Sequence, residues 1–387
     1  MHPLADSFIP LSRASSPEKS YPLEVQLCKE CGNAQLKCET SPVERYQELE
    51  YSYQSSHSPS SRGYWEKFAL DMDLLVQGKA KLNVLEIGSN DGYLLSILNG
   101  RGHNVLGVDA SPAACKSAEV RNVKAICAIF SDTIAQELLD SGNNNFDLII
   151  ANNVLNHSDD PVDFVRGVER LLADGGRFVF ESPYWLTSLN SRRFDQIYHE
   201  HVTYLTARSV TTLLSRCGLS VSGISASEYH GGSLRVVAER VGSHGTCSEL
   251  SAYVDTEIKT GIFDHSYFTN YFSKLILLRN SFLVKLLQIK ISEPNTPVIC
   301  IGAAAKGNTF LNFFRLDHSL IDFVTDVSPT KIGKLTPFTR IPIESDLDLA
   351  RLVNPYVILT SWNMAAALRD LIVPINPTVR FLDPYED

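Results

Sequence analysis

At 387 residues the chain is too long for one average domain, and the usual domain sizes give two or three. Forty-four acidic residues against 35 basic ones leave a formal net charge of -9 and no Lys/Arg-rich block, which argues against nucleic acid as a partner. No stretch reaches the uninterrupted apolar length that crosses a bilayer, and "MHPLADSFIP" lacks the regions of a signal peptide, so a cytoplasmic protein without a membrane partner is expected.

Residues 1–62 are rich in Ser, Pro and Tyr and read as a small N-terminal module. Of the eight cysteines, Cys127 and Cys300 lie in apolar strand-like runs and the others are scattered, so reduced thiols are expected. The exception is "LCKECGN", where Cys28 and Cys31 have the spacing of half a zinc knuckle. From Tyr64 to Val76 the residues Tyr64, Trp65, Phe68, Met72, Leu75 and Val76 recur at helical spacing, which predicts an amphipathic helix opening a domain over 63–240.

Five Val/Ile/Leu/Phe-rich runs follow, "KLNVLEIG", "NVLGVDA", "VKAICAIF", "FDLIIANN" and "RFVFESP", separated by helical segments. Buried parallel strands with helical crossovers produce that rhythm. Thr206 can cap a helix through Cys217 that stops at Gly218, and two closely spaced strands come next, "LSVSGIS" and "SLRVVAER". The expected fold is α/β, a Rossmann-like sheet of seven strands with one antiparallel member. Residues 241–295 read as a helical connector with a long helix from about Tyr267 to Ile291, and 296–387 as a second α/β domain with strands in "PVICIGAAAKGN", "LIDFVTDVSP" and "YVILTSWN".

"VLEIGSNDGYLLSIL" is a strand, a turn and a helix, with Gly88 and Gly92 permitting the tight turn. The next strand ends on Asp109, where a carboxylate takes ribose hydroxyls. A nicotinamide fingerprint needs a small second residue in the turn, but Ser89, Asn90 and Asp91 fill it. Glu86 and Asp91 add negative charge, which repels a pyrophosphate and suits an ammonium or sulfonium. S-adenosylmethionine carries both cations and no phosphate, so it is the expected cofactor, held in the manner of a class I methyltransferase.

"FDQIYHEHVTYLT" places Tyr198, His199, Glu200 and His201 side by side. Metal is disfavoured, because a helical zinc pair needs H-E-x-x-H and no third ligand is near. A polar turn ahead of the helix is the bland alternative. Against it, the segment follows the fifth strand and so leaves the sheet at the edge where open α/β sheets bind ligands. His157, in "ANNVLNHSDDP", leaves the fourth strand at that edge, preceded by Asn152 and Asn153. A histidine with an ordinary pKa near roughly 6.5 is a usable base at neutral pH, and deprotonation beside a ketone gives a nucleophilic enolate. "GAAAKGNT" follows a strand and opens a helix, so Lys306 and free N–H groups point to an anion, in an order unlike a Walker loop.

Taken in order, "CKECGNAQL", "YSYQSS", "LEIGSNDGYLL", "NNVLNH", "FESPYW", "YHEHVTYLT", "HGGSLRV", "GAAAKGNT", "DVSPTKIGKLTPFTRIPI" and "YVILTSWN" resemble the S-adenosylmethionine-dependent C-methyltransferases of nucleotide-linked keto-deoxysugars, such as the dTDP-4-ketosugar 3-C-methyltransferases. The resemblance covers nearly the whole chain. It implies C-methylation of a nucleotide-linked ketosugar, with His201 as the base and Tyr198, Glu200 and His157 assisting. It implies a cofactor site at Glu86, Gly88, Ser89, Asn90, Asp91, Gly92, Asp109 and Asn153. Substrate contacts are expected from Tyr53, Ser56, Asn152, Lys306 and Asn308. Relatives hold zinc with two Cys pairs, whereas here the first pair is absent: either the start is truncated or the site has been lost. Cys28 and Cys31 are then a half-site, and Cys38 and His57 have no spacing that completes it. The alternatives left open are methylation of another activated carbon or an oxygen, and a non-catalytic nucleotide-sugar-binding homologue.

Overall fold

The computed structural model describes residues 1–48, 55–56, 58–76, 79–143, 145–242 and 247–385, with only the backbone of Asn363. Tyr53 and His57 lie outside the described residues. The chain forms two compact units, one of Gln26–Ser188 and His201–Phe263, the other of Met1–Val25, Leu189–Glu200 and Asp264–Asp387. No helix among the described residues is long and apolar enough to cross a membrane.

In the first unit seven strands make one sheet: β1 (Asn83–Ile87), β2 (Asn104–Asp109), β3 (Ala125–Cys127), β4 (Phe146–Ile150), β5 (Leu172–Pro183), β6 (Leu219–Ser227) and β7 (Ser233–Arg240). Their order is β6-β7-β5-β4-β1-β2-β3. β7 runs antiparallel to both neighbours, and the others are parallel, as the closing strand pair predicts. β1 and β4 are buried almost throughout, on both faces, as expected of central parallel strands.

The first helix begins at Pro59, five residues ahead of its apolar stripe. Ser58 accepts a hydrogen bond from the Ser61 N–H and Pro59 takes the first helical position, where its missing N–H costs nothing. Trp65, Phe68 and Met72 of this helix pack with Leu82, Val84 and Leu98, and each such burial contributes roughly 1.5–3 kcal/mol. The predicted cap at Thr206 is present as a reciprocal pair with Ser209 ahead of the helix Ala207–Arg216. Residues 25–36 add two short strands to Thr203–Tyr204 in a separate three-stranded sheet.

The other unit holds a five-stranded parallel sheet: β8 (Val298–Ile301), β9 (Phe323–Asp326), β10 (Ile343–Ser345), β11 (Tyr356–Leu359) and β12 (Arg380–Phe381), in the order β10-β9-β8-β11-β12. Residues 9–10 pair with 334–335 in this unit, so the start of the chain belongs with its end. The stretch 241–295 contains two helices. Leu250–Thr260 goes with the seven-stranded sheet, where buried Glu257 accepts from the N–H groups of Ala207 and Arg208 and from the Tyr184 hydroxyl. His265–Ser292 goes with the five-stranded one.

Both sheets end their first strand on a glycine with positive φ, 71° at Gly88 and 96° at Gly302. Gly88 donates to the Val108 carbonyl at 2.7 Å and Gly302 to the Thr325 carbonyl at 2.8 Å. Asp109 accepts from the N–H groups of Asn90 and Ser111, each at 2.8 Å. Asp326 accepts in the same way from Ala303 at 2.9 Å and Ser328 at 2.8 Å.

Candidate active site

The turn after β1 is built for close approach. Gly88 and Gly92 both have φ 71°, and a Cβ on Gly88 would overlap the Val154 side chain beyond β4. Gly88→Ala therefore combines a left-handed strain of roughly 1–2 kcal/mol with overpacking. A lower thermal midpoint and weaker cofactor binding are expected, and Val154→Ala in the same chain should restore the overpacking part alone.

The loop's carboxylates divide into two roles. Glu86 is buried, and its Oε2 has no hydrogen-bond partner among the described residues. Burial, and then the charges of Asp91 and Asp109, push its carboxyl well above the usual range. A buried acceptor left open in this way fits a cationic group of a ligand. Asp109 is raised by burial and held back by its two N–H donors, and each oxygen keeps a lone pair for a ribose hydroxyl. Asp91 differs from its expected role as open negative charge: it accepts from Ser55 at 2.5 Å, from the Ser56 hydroxyl, and from Arg121 at 3.2 Å. Asn90 accepts from the Ser55 N–H at 2.9 Å. Ser56, expected among the substrate contacts, thus lies against the turn after β1 and fastens residues 55–56 to it. Ser89 is buried beneath, its hydroxyl without a partner among the described residues.

Beyond β4, Asn152 accepts from the Glu181 N–H at 3.0 Å, and the Asn153 N–H donates to the Glu181 carbonyl at 2.7 Å. Asn153 adopts φ 54°, which asparagine tolerates better than most residues. Asn152 Nδ2, Asn153 Oδ1 and Asn156 Nδ2 are buried without partners among the described residues, so three amides present unmet capacity at one sheet edge. His157 and His201 come together there, their ring centroids 4.9 Å apart and edge to face. His201 is 5% exposed, and the Val202 N–H holds its segment to the Asn156 carbonyl at 2.8 Å.

Glu181 is fully buried on β5. It accepts from both Tyr64 Oη, at 2.7 and 2.6 Å to its two oxygens, and Arg235 Nε at 2.6 Å. Arg235 also reaches Asp71 at 2.7 Å, and the Tyr64 ring stacks on Tyr229 with centroids 4.1 Å apart. Burial, followed by the Glu181 charge, keeps the Tyr64 phenol protonated far above its ordinary range.

The chain leaves one unit for the other between Glu200 and His201. Tyr198, His199 and Glu200 are buried in the unit of the five-stranded sheet, where the His199 Nε2 is 3.1 Å from the Pro22 carbonyl. Lys306 lies in the first turn of Ala305–Phe314, half-buried, with Nζ 5.5 Å from the Trp362 ring centre. Burial, opposed by the Asp195 charge and aided by that of Arg193, lowers its pKa to about 8. Trp362 Nε1 donates to buried Asp195, and Arg193 is stacked 4.0 Å from Trp362 and 4.5 Å from Tyr385. Asn308 is buried, donating from Nδ2 to the Ala5 carbonyl at 2.5 Å, with Oδ1 unpartnered among the described residues.

Cys28 and Cys31 form a knuckle turn, with the Gly32 N–H on the Cys28 carbonyl at 2.9 Å and Gly32 at φ 73°. Among the described residues no group of three or more His, Cys, Asp or Glu is arranged to hold a metal. Two thiols do not complete a tetrahedral site, so these residues do not fit structural zinc.

Sequence alone does not point to Asn156, Glu181, Tyr46, Arg193 or Asp195, and it points to Tyr64 only as part of a helical apolar stripe. Asn156 sits in the same "ANNVLNH" run as its neighbours, and Asp195 in "FDQIYHEH", so both had a local signal. The others are joined only by folding.

The strand order with a single antiparallel member, the glycine turn after β1 and the carboxylate ending β2 define a Rossmann-like methyltransferase fold. Three family descriptions match the chain in succession: a putative zinc binding domain over residues 1–46, a methyltransferase domain over 64–222 and a C-methyltransferase C-terminal domain over 228–372. The chain belongs to the C-methyltransferase family that carries these three parts. It is 28% identical over 372 residues to the C-methyltransferase NovU of Streptomyces niveus, covering 95% of this chain and 87% of that protein. A shorter region is 29% identical over 100 residues to a ubiquinone biosynthesis O-methyltransferase of Alkalilimnicola ehrlichii, covering 26% of this chain and 40% of that protein. A solved S-adenosylmethionine-dependent methyltransferase from Clostridium acetobutylicum aligns at 15% identity and a TM-score of 0.39, covering 47% of this chain and 92% of that one.

Proposed function

We propose that the chain uses S-adenosylmethionine to methylate a carbon of a nucleotide-linked keto-deoxysugar. The observation that carries this reading is the His157–His201 pair, in which His157 lies beyond β4 on the loop whose Val154 packs against Gly88. A reaction at carbon needs a base for a C–H proton, and two adjoining imidazoles supply one.

S-adenosylmethionine, when bound, supplies an electrophilic methyl group on a sulfonium. Asp109 accepts its ribose hydroxyls, Glu86 receives its cationic end, and the backbone at Gly88 and Gly92 lets it lie close to the sheet. Asn153 is assigned to the edge of that site, and Asn152, whose Nδ2 is open, to the substrate. His201 removes the proton alpha to the sugar ketone, and the resulting enolate is the nucleophile. Tyr198 and Glu200 are assigned to holding the oxyanion and its proton. Lys306, with Asn308 Oδ1, is assigned to the nucleotide diphosphate.

Purified protein incubated with methyl-labelled S-adenosylmethionine and a panel of dTDP- and GDP-linked ketosugars should give product labelled on carbon. Label found on oxygen alone sinks this reading.

The half-buried Lys306 predicts a pH dependence. Its ammonium binds an anion only while protonated, and burial brings proton loss down to about 8. KM for the nucleotide sugar should rise as pH increases through that value, by roughly tenfold once the charge is gone. Lys306→Arg should flatten the KM profile, because guanidinium stays charged throughout.

A further inference from the structure

Every turnover that removes a C–H proton must pass that proton to solvent, and His201 is 5% exposed. His157 adjoins it edge to face, and Tyr46 Oη lies 2.9 Å from His157 Nδ1. Both His157 and Tyr46 are half-buried, so both are more exposed than His201. Tyr46 is itself held: the Arg45 guanidinium stacks 5.4 Å from its ring centre and bonds Asp159 at 2.6 Å, from a side chain only 1% exposed. A fixed phenol at Nδ1 sets the ring orientation that His157 presents to His201.

We propose that Tyr46 is a positioning residue that, through His157, completes the route by which the proton taken by His201 reaches water. His201 hands its proton to the His157 ring, His157 releases one at Nδ1 to the Tyr46 oxygen, and the Tyr46 O–H proton goes to water. One C–H proton has then moved to solvent; His201 and Tyr46 are as they began, and His157, left protonated on its other ring nitrogen, regains its first tautomer when a proton enters at Nδ1 and the other leaves to water that fills the emptied site. The inference rests on His201 being the base.

The test compares wild type with Tyr46→Phe, which keeps the ring and the Arg45 stack. In deuterated water without S-adenosylmethionine, the wild type should exchange the sugar's alpha proton. With the cofactor it should methylate carbon. In Tyr46→Phe, both exchange and kcat should fall roughly tenfold or more while KM for both substrates stays within about twofold. His157→Gln offers Tyr46 a hydrogen-bond partner but carries no proton, so it should show the same split even if Tyr46→Phe folds poorly. Wild-type kcat and exchange in both variants overturn the relay. Parallel losses in KM and kcat without slowed exchange also overturn it, because they mark a merely structural role. A wild type that neither exchanges nor methylates carbon overturns the assignment of His201 instead.

Discussion

His201→Asn is expected to lower the rate of carbon methylation by roughly 10²–10⁴-fold while leaving the affinity for S-adenosylhomocysteine near its wild-type value. Asparagine keeps a polar group of similar reach at one end of the ring but cannot take a proton. The segment's anchor is main chain, from the Val202 N–H to the Asn156 carbonyl, so the substitution does not remove what positions it. Exchange of the alpha proton should be lost together with methylation, because both share the abstraction step. Product formation followed by methyl-labelled cofactor, beside calorimetric binding of S-adenosylhomocysteine, checks both halves. Retention of more than about a tenth of the activity would exclude His201 as the base.

Glu181→Leu should be the most damaging single change to stability away from that histidine. The carboxylate is fully buried and accepts from Tyr64 and Arg235, so its loss leaves the Arg235 Nε without its acceptor and the Tyr64 hydroxyl with Ser227 and Arg235 alone. Breaking a buried pair by removing one partner costs roughly 3–5 kcal/mol. The urea midpoint should fall accordingly, and Glu181→Leu with Arg235→Met and Tyr64→Phe should recover much of the loss, because the buried guanidinium is then gone and Asp71, which loses it, is partly exposed to water. Cofactor affinity should drop as well. The Glu181 main chain pairs with Asn152 and Asn153, so loosening β5 there loosens the amides beyond β4.

The parts of the molecule that were legible in advance are those in which neighbours in sequence are neighbours in space. Strands β1 to β7, the Thr206 cap, the glycine turn and Asp109 all declare themselves within a few residues, through apolar runs, a hydroxyl before a helix, or a φ that only glycine takes easily. The start of the first helix was missed because its Ser58–Pro59 cap precedes the apolar stripe. Ser56 and Asp91 were both noticed, but their hydrogen bond crosses 35 residues and gave Asp91 a role that local charge did not suggest. Tyr46 and His157 are 111 residues apart, and Tyr64 and Glu181 are 117. Pairings at that range obey no period, so only the folded chain reveals them. Nor does spacing within "YHEH" reveal that the division between the two compact units falls inside it.

The tie that fastens Asp109 to the turn after β1 recurs, with the turn's donor one residue closer to the glycine, where Asp326 meets the turn after β8. What differs is the filling. Ser55, Ser56 and Arg121 crowd the first turn, whereas at the second the Lys331 ammonium bonds the Ala303 carbonyl at 2.9 Å, sits 3.6 Å from Asp326 and lies over the Phe8 ring. One backbone device therefore serves two different surroundings in this chain: an engineer seeking a new ligand would edit the filling residues first, since each aspartate also ties its own turn through two N–H groups.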